Sequence, residues 1–429
     1  MASLLLQIES ALIDLYNPNV STAQRAAVEV SLAAFRSQTP NAWQPALDFL
    51  QQLDPLNPAA ATPPSLQMQF YASSIVSHFA VPKVFDHLDG STQAQLIDCT
   101  LVVLQKTYER LHPAAASKLV AAYVRLIKND TTVQHPAHIG SLLQSLSSPT
   151  NPPQANLLVE VHILAVLVDE FPSFSLNSPM RGARRRAVTA VLKTIILPSL
   201  PSLLCQLLSD SQRDKHSDKH TAPQHHVLSA LATVLSYPTR YKVTRTMDVS
   251  PLISLPLLST LFATASPSTS PPSTASPSSP PPPVFSPHAT LALSCVNEII
   301  SRNCWPSGSS QDFVLLVCGH ALSLVSAAGS DPAALGALPE EYRSQLTNFL
   351  LHFSSLHLRS ALLSPTFSSS TFLLLTASYT FNLPTSQEQT AALAVWIKIA
   401  EFAEGDERAT GFLAQNEQGL SGVLEAAIR

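Results

Sequence analysis

The sequence has 429 residues, of which 45% are hydrophobic and 13% are charged, roughly half the usual charged share of about 25%. This length suits several domains or an extended repeat array better than one compact core. The formal net charge of -4 gives no basic excess, which argues against a protein that coats nucleic acid. Prolines and Lys193 interrupt the longest apolar runs before the roughly 18 residues of a membrane span, and the N-terminus carries Glu9 instead of a basic leader. We therefore expect a soluble intracellular protein.

Apolar residues recur at helical spacing from the start of the chain, beginning with a predicted helix from Leu4 to Tyr16. Ser21, with Gln24 three residues later, predicts a capping box at the start of a second helix that ends near Phe35. A third, shorter helix is predicted from Trp43 to Leu53. Two antiparallel helices joined by a tight turn form the unit of a HEAT repeat.

The next helices are predicted from Ser91 to Leu111 and from Ala114 to Lys128, with Pro113 at the first position of the second helix. A short helix near His138 to Leu146 follows them. The most apolar stretch, Leu157 to Leu208, is predicted as two helices joined by a loop. Neither of these helices can bury so wide an apolar stripe alone, so each needs a partner and a neighbour on either side.

The second half of the chain is interrupted twice. Ser209 to Gln224 is polar and charged and is predicted as a surface loop, and Ser266 to Pro287 is a Pro/Ser-rich tract that is predicted to be disordered. Helical periodicity resumes at Leu291 and continues to Ile428, with no lasting strand alternation. We predict an all-α fold, a superhelical α-solenoid of about eight or nine HEAT-type (armadillo-like) hairpins.

Two stretches resemble the importin-beta superfamily, in the branch that contains importin-thirteen and transportin-three. Pro40, Trp43 and the run Gln69-Phe70-Tyr71-Ala72 are similar to its N-terminal repeats. The string LLVEVHILAVLVDEF followed by GARRR resembles its fourth repeat, in which Arg184 replaces the usual asparagine. Independently of the resemblance, large aromatic residues at helical spacing usually pack between helices, so we expect core positions for Trp43, Phe70 and Tyr71.

The resemblance implies a nuclear transport receptor that shuttles between nucleus and cytoplasm. In such receptors, N-terminal repeats bind the GTP form of the small GTPase Ran, a concave surface carries protein cargo, and outer grooves contact Phe-Gly nucleoporins. The implied segments are 1–210 (Ran-binding HEAT repeats), 211–265 (further helices with a polar loop), 266–287 (insertion) and 288–429 (further helices). Family members are considerably longer, so we expect a fragment or a shortened relative. The alternative is a HEAT-repeat scaffold of the phosphatase-regulatory or tubulin-cofactor type.

Arg181, Arg184, Arg185 and Arg186 form the most distinctive charge cluster. Cations at the start of a helix oppose its dipole, which favours an acidic partner that compensates them. A solvated helix start is the alternative, and a nuclear localisation signal is a weaker one. Arg184, Arg185 and Arg186 are therefore the candidate partner-binding residues.

No sequence motif supports an enzyme, and we predict neither a cofactor nor a metal. P-loop, G-x-S-x-G and H-E-x-x-H strings are absent from the sequence. His216 and His220 are four residues apart, but they lie in a polar segment that ends at Pro223, so a solvated loop is favoured over a zinc site. The cysteines are far apart in apolar segments and are expected to be buried thiols in a reducing compartment: Cys99, Cys205, Cys295, Cys304 and Cys318.

Overall fold

A computed structural model describes most of the chain as helix. The described residues are 2–17, 19–56, 64–130, 134–147, 154–171, 182–196, 198–200, 202–203, 206–207, 225–232, 253–266, 288–303, 310–329, 332–364, 367–405 and 421. Every regular element within these ranges is helical, which confirms the predicted all-α class. None of the helices described is long and apolar enough to cross a membrane. The chain divides into two compact units, Met1–Ser199 and Leu200–Arg429.

The first unit is a series of helices that pack in pairs. They are α1 (Ala2–Tyr16), α2 (Thr22–Gln38), α3 (Trp43–Leu50), α4 (Leu66–Phe79), α5 (Pro82–Phe85), α6 (Gly90–Thr107), α7 (Pro113–Asn129), α8 (Gln134–Ser147), α9 (Gln154–Glu170) and α10 (Gly182–Val191). Short 3-10 turns follow α3 and α6, and a π-helical turn, Leu192–Ile196, follows α10. α1 packs on α2, α3 on α4, α6 on α7 and α8 on α9, as expected of HEAT-type hairpins.

Two side-chain amides join successive hairpins by pinning α4 against α7. In α4 the buried Gln69 donates from Nε2 to the carbonyl of Pro64 (3.0 Å) and accepts at Oε1 from the amide of His112 (2.9 Å), which caps α7. At the far end of α7, Asn129 donates from Nδ2 to the carbonyl of Ala80 (2.6 Å), immediately after α4. One hydrogen bond joins the starts of α4 and α7, and the other joins their ends. The two helices therefore run parallel, as equivalent helices of successive repeats do.

Local sequence signals explain where several of these helices begin. Ser21 and Gln24 form the predicted capping box at the start of α2. Pro113 occupies the first turn of α7, where its missing N–H has no helical partner to lose. The predicted short helix near His138 is longer than expected and extends over the whole of α8.

The second unit contains helices of the same kind. In the part of it that the structure describes, they are α11 (Leu255–Ala265), α12 (Ala289–Arg302), α13 (Ser310–Gly329), α14 (Pro332–Gly336), α15 (Glu340–His352), α16 (Leu358–Ala361), α17 (Ser369–Asn382) and α18 (Ser386–Gly405). A π-helical turn, Phe353–His357, joins α15 to α16. Residues 225–232 are also helical. α12 packs between α11 and α15, and α15 also contacts α18.

An aromatic cluster and an ion pair hold the second unit together. The ring of Phe353 lies 5.3 Å from that of Phe372 and 5.8 Å from that of Phe367, and all three are buried. Arg343 donates from Nε to Glu388 at 2.8 Å and also bonds the carbonyl of Leu338. Arg343 is largely buried, so this pair links α15 to α18 away from bulk water.

The expected core positions of the aromatic residues are only partly found. Trp43 is 1% exposed and lies in the core as predicted, whereas Tyr71 is half-buried and donates its hydroxyl to the carbonyl of Leu32 (2.7 Å). The prediction for Phe70 was wrong: it is 44% exposed, because Gln69 and Ala72 take the buried positions of α4.

Several sequence predictions concern residues outside the described ranges. The loop 209–224, residues 267–287 and the histidines His216 and His220 lie outside the described residues. Cys205 and Cys304 do so too, while Cys295 and Cys318 are buried and Cys99 is half-buried. The four-segment division of the chain stays a prediction.

Candidate partner-binding site

The arginine cluster lies on α10, whose inner face is fixed by apolar contacts. Val188 and Val191 are buried on one side of this helix. Arg185 and Arg186 are exposed on the other side, and Arg184 is only partly exposed. Arg181, the fourth cation of the cluster, lies outside the described residues. Arg184 precedes Val188 by four residues and so lies on the buried side of α10, whereas Arg185 and Arg186 are exposed.

Arg184 is already engaged within the first unit. Its Nη2 donates to Oδ1 of Asp86 at 2.6 Å, and Nη1 lies 3.5 Å from Oδ2 of the same carboxylate. The side chain of Arg184 is 13% exposed and that of Asp86 is 39% exposed. This two-point contact links the start of α10 to the residue that follows α5.

The end of α9 carries a second charged group. Arg125 donates from Nε to Oε1 of Glu170 at 2.7 Å, and Lys128 donates to the main-chain carbonyl of Glu170. Burial lowers the pKa of Lys128 to about 8, opposed by the charge of Glu170. Glu170 therefore neutralises cations of α7, 42 and 45 residues earlier in the chain.

A cavity of about 240 Å³ lies among α6, α7, α8 and α9. Glu160 is buried in its wall and accepts a hydrogen bond from Oγ of Ser145 at 2.9 Å. Burial raises the pKa of this carboxyl, and the serine hydrogen bond opposes the rise. Beyond the cavity lining, the buried His162 shares a 2.6 Å hydrogen bond with the hydroxyl of Tyr108, and burial lowers the pKa of His162 to about 4. The interior between α6, α7, α8 and α9 therefore contains polar side chains as well as apolar ones.

Over the described ranges, no cluster of three or more His, Cys, Asp or Glu side chains could hold a metal ion. Sequence reasoning missed Asp86, the partner of Arg184, because 98 residues separate them. It also missed the cavity, since its lining comes from four helices.

The region that carries these groups is similar in sequence to known proteins. Residues 112–275 match the family model described as exportin 1-like protein. That segment runs from the residue before α7 through α11 and ends inside the Pro/Ser-rich tract. The match spans 164 of the 429 residues, so it makes this segment similar to the exportin 1-like family.

Exportin-6 proteins are among the known proteins that part of this chain resembles. Exportin-6-A of Xenopus laevis is 32% identical over 118 residues, and exportin-6 of Homo sapiens is 31% identical over 118 residues. Each alignment covers 26% of this chain and 10% of the relative. The chain thus matches about a tenth of the length of these relatives. The importin-thirteen/transportin-three branch of the superfamily stays a prediction.

Proposed function

We propose that the chain is, or is part of, a nuclear transport receptor of the karyopherin type. The observation that carries this proposal is the exportin 1-like match over residues 112–275 in a chain of stacked HEAT-type hairpins. The names of the family model and of the relatives favour the export direction. A receptor of this kind binds and releases partners and performs no chemistry, which agrees with a sequence that lacks catalytic motifs.

The N-terminal repeats, residues 1–210, are the proposed binding region for Ran in its GTP form. Protein cargo and Phe-Gly nucleoporins are the further proposed partners, and shuttling between nucleus and cytoplasm follows from such a role. Ran-GTP and cargo would be coupled through differently curved states of the repeat stack, because a ligand shifts an equilibrium only by its differential affinity for two states. For export, the two ligands favour the same state.

Within this proposal, Arg185 and Arg186 are the exposed cations of α10 that would meet an acidic partner surface. Arg184 was predicted to join them, but its guanidinium already pairs with Asp86. Arg184 therefore contributes by fixing α10 in place, so that the two exposed cations project from a defined position.

A pull-down with the whole chain tests the proposal. Immobilised Ran, loaded with either a non-hydrolysable GTP analogue or GDP, is incubated with the purified protein. We expect retention on the GTP form alone. Equal retention on both forms, or none on either, would contradict a Ran-dependent receptor. Nucleotide-insensitive capture by a phosphatase catalytic subunit or by tubulin would support the alternative, a HEAT-repeat scaffold.

A further inference from the structure

Three basic side chains from neighbouring helices gather on one face of the first unit. Arg36 is in the last turn of α2, His78 is in the last turn of α4, and Lys118 is in the first half of α7. The hydrogen bond from Tyr71 to the carbonyl of Leu32 holds α4 against α2 one turn before Arg36. After burial, the charge of Arg36 is the next cause that lowers the pKa values of His78 and Lys118. Arg36 is therefore close enough to His78 and to Lys118 to disfavour the protonated form of each.

An exposed aromatic ring completes the cluster. Nζ of Lys118 lies 4.1 Å from the centroid of the Phe70 ring, in a cation–π contact. Phe70 is 44% exposed, and Leu66, one turn earlier on α4, is 55% exposed. Residues four apart share one face of a helix, so the two apolar side chains form a continuous surface beside the cations.

Several other basic groups of the first unit have an acceptor. Arg25 donates to the carbonyl of Asn17 at 2.8 Å, and Lys106 and Arg184 each pair with an aspartate. By contrast, no carboxylate among the described residues pairs with Arg36, His78 or Lys118. The Nε of Arg36 is also buried without a hydrogen-bond partner.

The helix dipole explains only part of this arrangement. A cation in the last turn of a helix is stabilised by its dipole, which favours Arg36 where it is. The lowered pKa of His78 leaves its imidazole largely neutral at pH 7. The dipole gives no reason for Lys118, which is far from the end of α7, or for a buried donor without an acceptor. Folding alone thus leaves positive charge and one guanidinium N–H unsatisfied on a face that also exposes a phenyl ring.

We propose that Arg36, His78, Lys118 and Phe70 form a docking site for a carboxylate-rich peptide segment of a partner protein. Its carboxylates accept hydrogen bonds from Arg36 and Lys118, and an apolar side chain between them packs on Phe70 and Leu66. A membrane surface fits less well, since electrostatic attachment to lipid takes about four to eight clustered cations. The site goes beyond the proposed transport function, because it needs neither Ran nor a nucleotide.

Fluorescence anisotropy with the whole chain tests this site. The probe is a fluorescein-labelled peptide in which glutamates flank a single leucine, and the matched peptide carries glutamine in place of every glutamate. We expect binding of the glutamate peptide alone, weakening as salt rises because exposed charges are screened. Arg36→Gln and Lys118→Gln should each reduce affinity up to about fivefold, the upper range for one exposed charge pair.

Three controls keep the result interpretable. Lys106→Gln removes a cation of α6 that pairs with Asp54, away from the proposed site, and it should leave affinity unchanged. Phe70→Ala should weaken binding without changing its salt dependence, since it removes apolar contact and not charge. Circular dichroism and the melting temperature of each variant show whether the fold survives.

The contrary outcomes are equally defined. Equal binding of the glutamate and glutamine peptides, or no binding of either, would overturn the proposal. So would affinity for phosphatidylserine vesicles or for a phosphoserine peptide in the absence of affinity for the glutamate peptide. Ran is absent from every sample, so these results test the peptide site independently of the pull-down with Ran.

Discussion

Replacing Arg184 by serine should destabilise the first unit, whereas the same change at Arg185 or Arg186 should not. Arg184 holds Asp86 by two nitrogen–oxygen contacts, one of 2.6 Å, and its side chain is 13% exposed. Exposed ion pairs contribute roughly 0.2 to 1 kcal/mol, and breaking a fully buried pair costs roughly 3 to 5 kcal/mol. Asp86 is 39% exposed and stays hydrated after the substitution, so the loss lies near the lower range.

We expect Arg184→Ser to lower the free energy of unfolding by about 1 to 2 kcal/mol, which includes the lost packing of the arginine stem. Arg185→Ser and Arg186→Ser should each cost less than about 0.5 kcal/mol, as exposed substitutions do. Urea unfolding followed by circular dichroism measures each value. A double-mutant cycle with Asp86→Ser should give a coupling energy near 1 kcal/mol. A coupling energy of zero, or equal losses for all three arginines, would refute the assignment of Arg184 to folding.

The same variants separate folding from binding. Arg185→Ser combined with Arg186→Ser should weaken the binding of Ran-GTP with an unchanged melting temperature, and the loss should be larger at low salt because screening is weaker there. Lys398→Ser is a suitable control, since it removes an exposed cation of the second unit. Unchanged affinity for the double variant would leave the two arginines as a solvated part of α10.

Three further predictions concern other parts of the chain. The pKa of His162 is about 4 in the folded protein and about 6.5 in the unfolded chain, so the unfolded chain binds the proton first as the pH falls. The free energy of unfolding should therefore fall by up to about 3 kcal/mol between pH 6.5 and pH 4. His162→Gln should flatten that dependence in pH-jump unfolding curves. Glu160→Gln should raise the melting temperature at pH 7, because it keeps a hydrogen-bonding group for Ser145 and removes a buried charge; a lower value would contradict this. Limited proteolysis should cut first within residues 266–287. First cleavage inside residues 291–300 would show that the predicted boundary of this tract is wrong.

Local features of the fold could be predicted from the sequence. The capping box at Ser21 and the entry of Pro113 into α7 depend on residues within one helical turn, so their spacing is sufficient to identify them. The helical spacing of Leu158, Val161, Leu164, Ala165 and Val168 predicted one apolar stripe on α9. Val161, Leu164 and Val168 are buried, and Leu158 and Ala165 are half-buried. Such signals establish which segments are helices and which side of each helix faces inward.

Contacts between distant segments could not be predicted in this way. Nothing near Arg184 in the sequence points to Asp86, and nothing near Lys118 points to Phe70, because each pair meets only when hairpins stack. Phe70 was expected in the core on residue type alone. In α4 the polar Gln69 is buried instead, since its amide satisfies two main-chain groups that no aromatic ring could serve.

The amide links at the two ends of α4 and α7 determine where the first unit can bend. Gln69 fixes the start of α7 and Asn129 fixes its end, so these two helices cannot slide or rotate against each other without breaking a buried hydrogen bond. Hinges form where a few residues absorb the change in angle, not where both ends of neighbouring elements are fastened. The second and third hairpins therefore move as one rigid block, and any change in curvature within this unit has to occur at the other junctions of the stack.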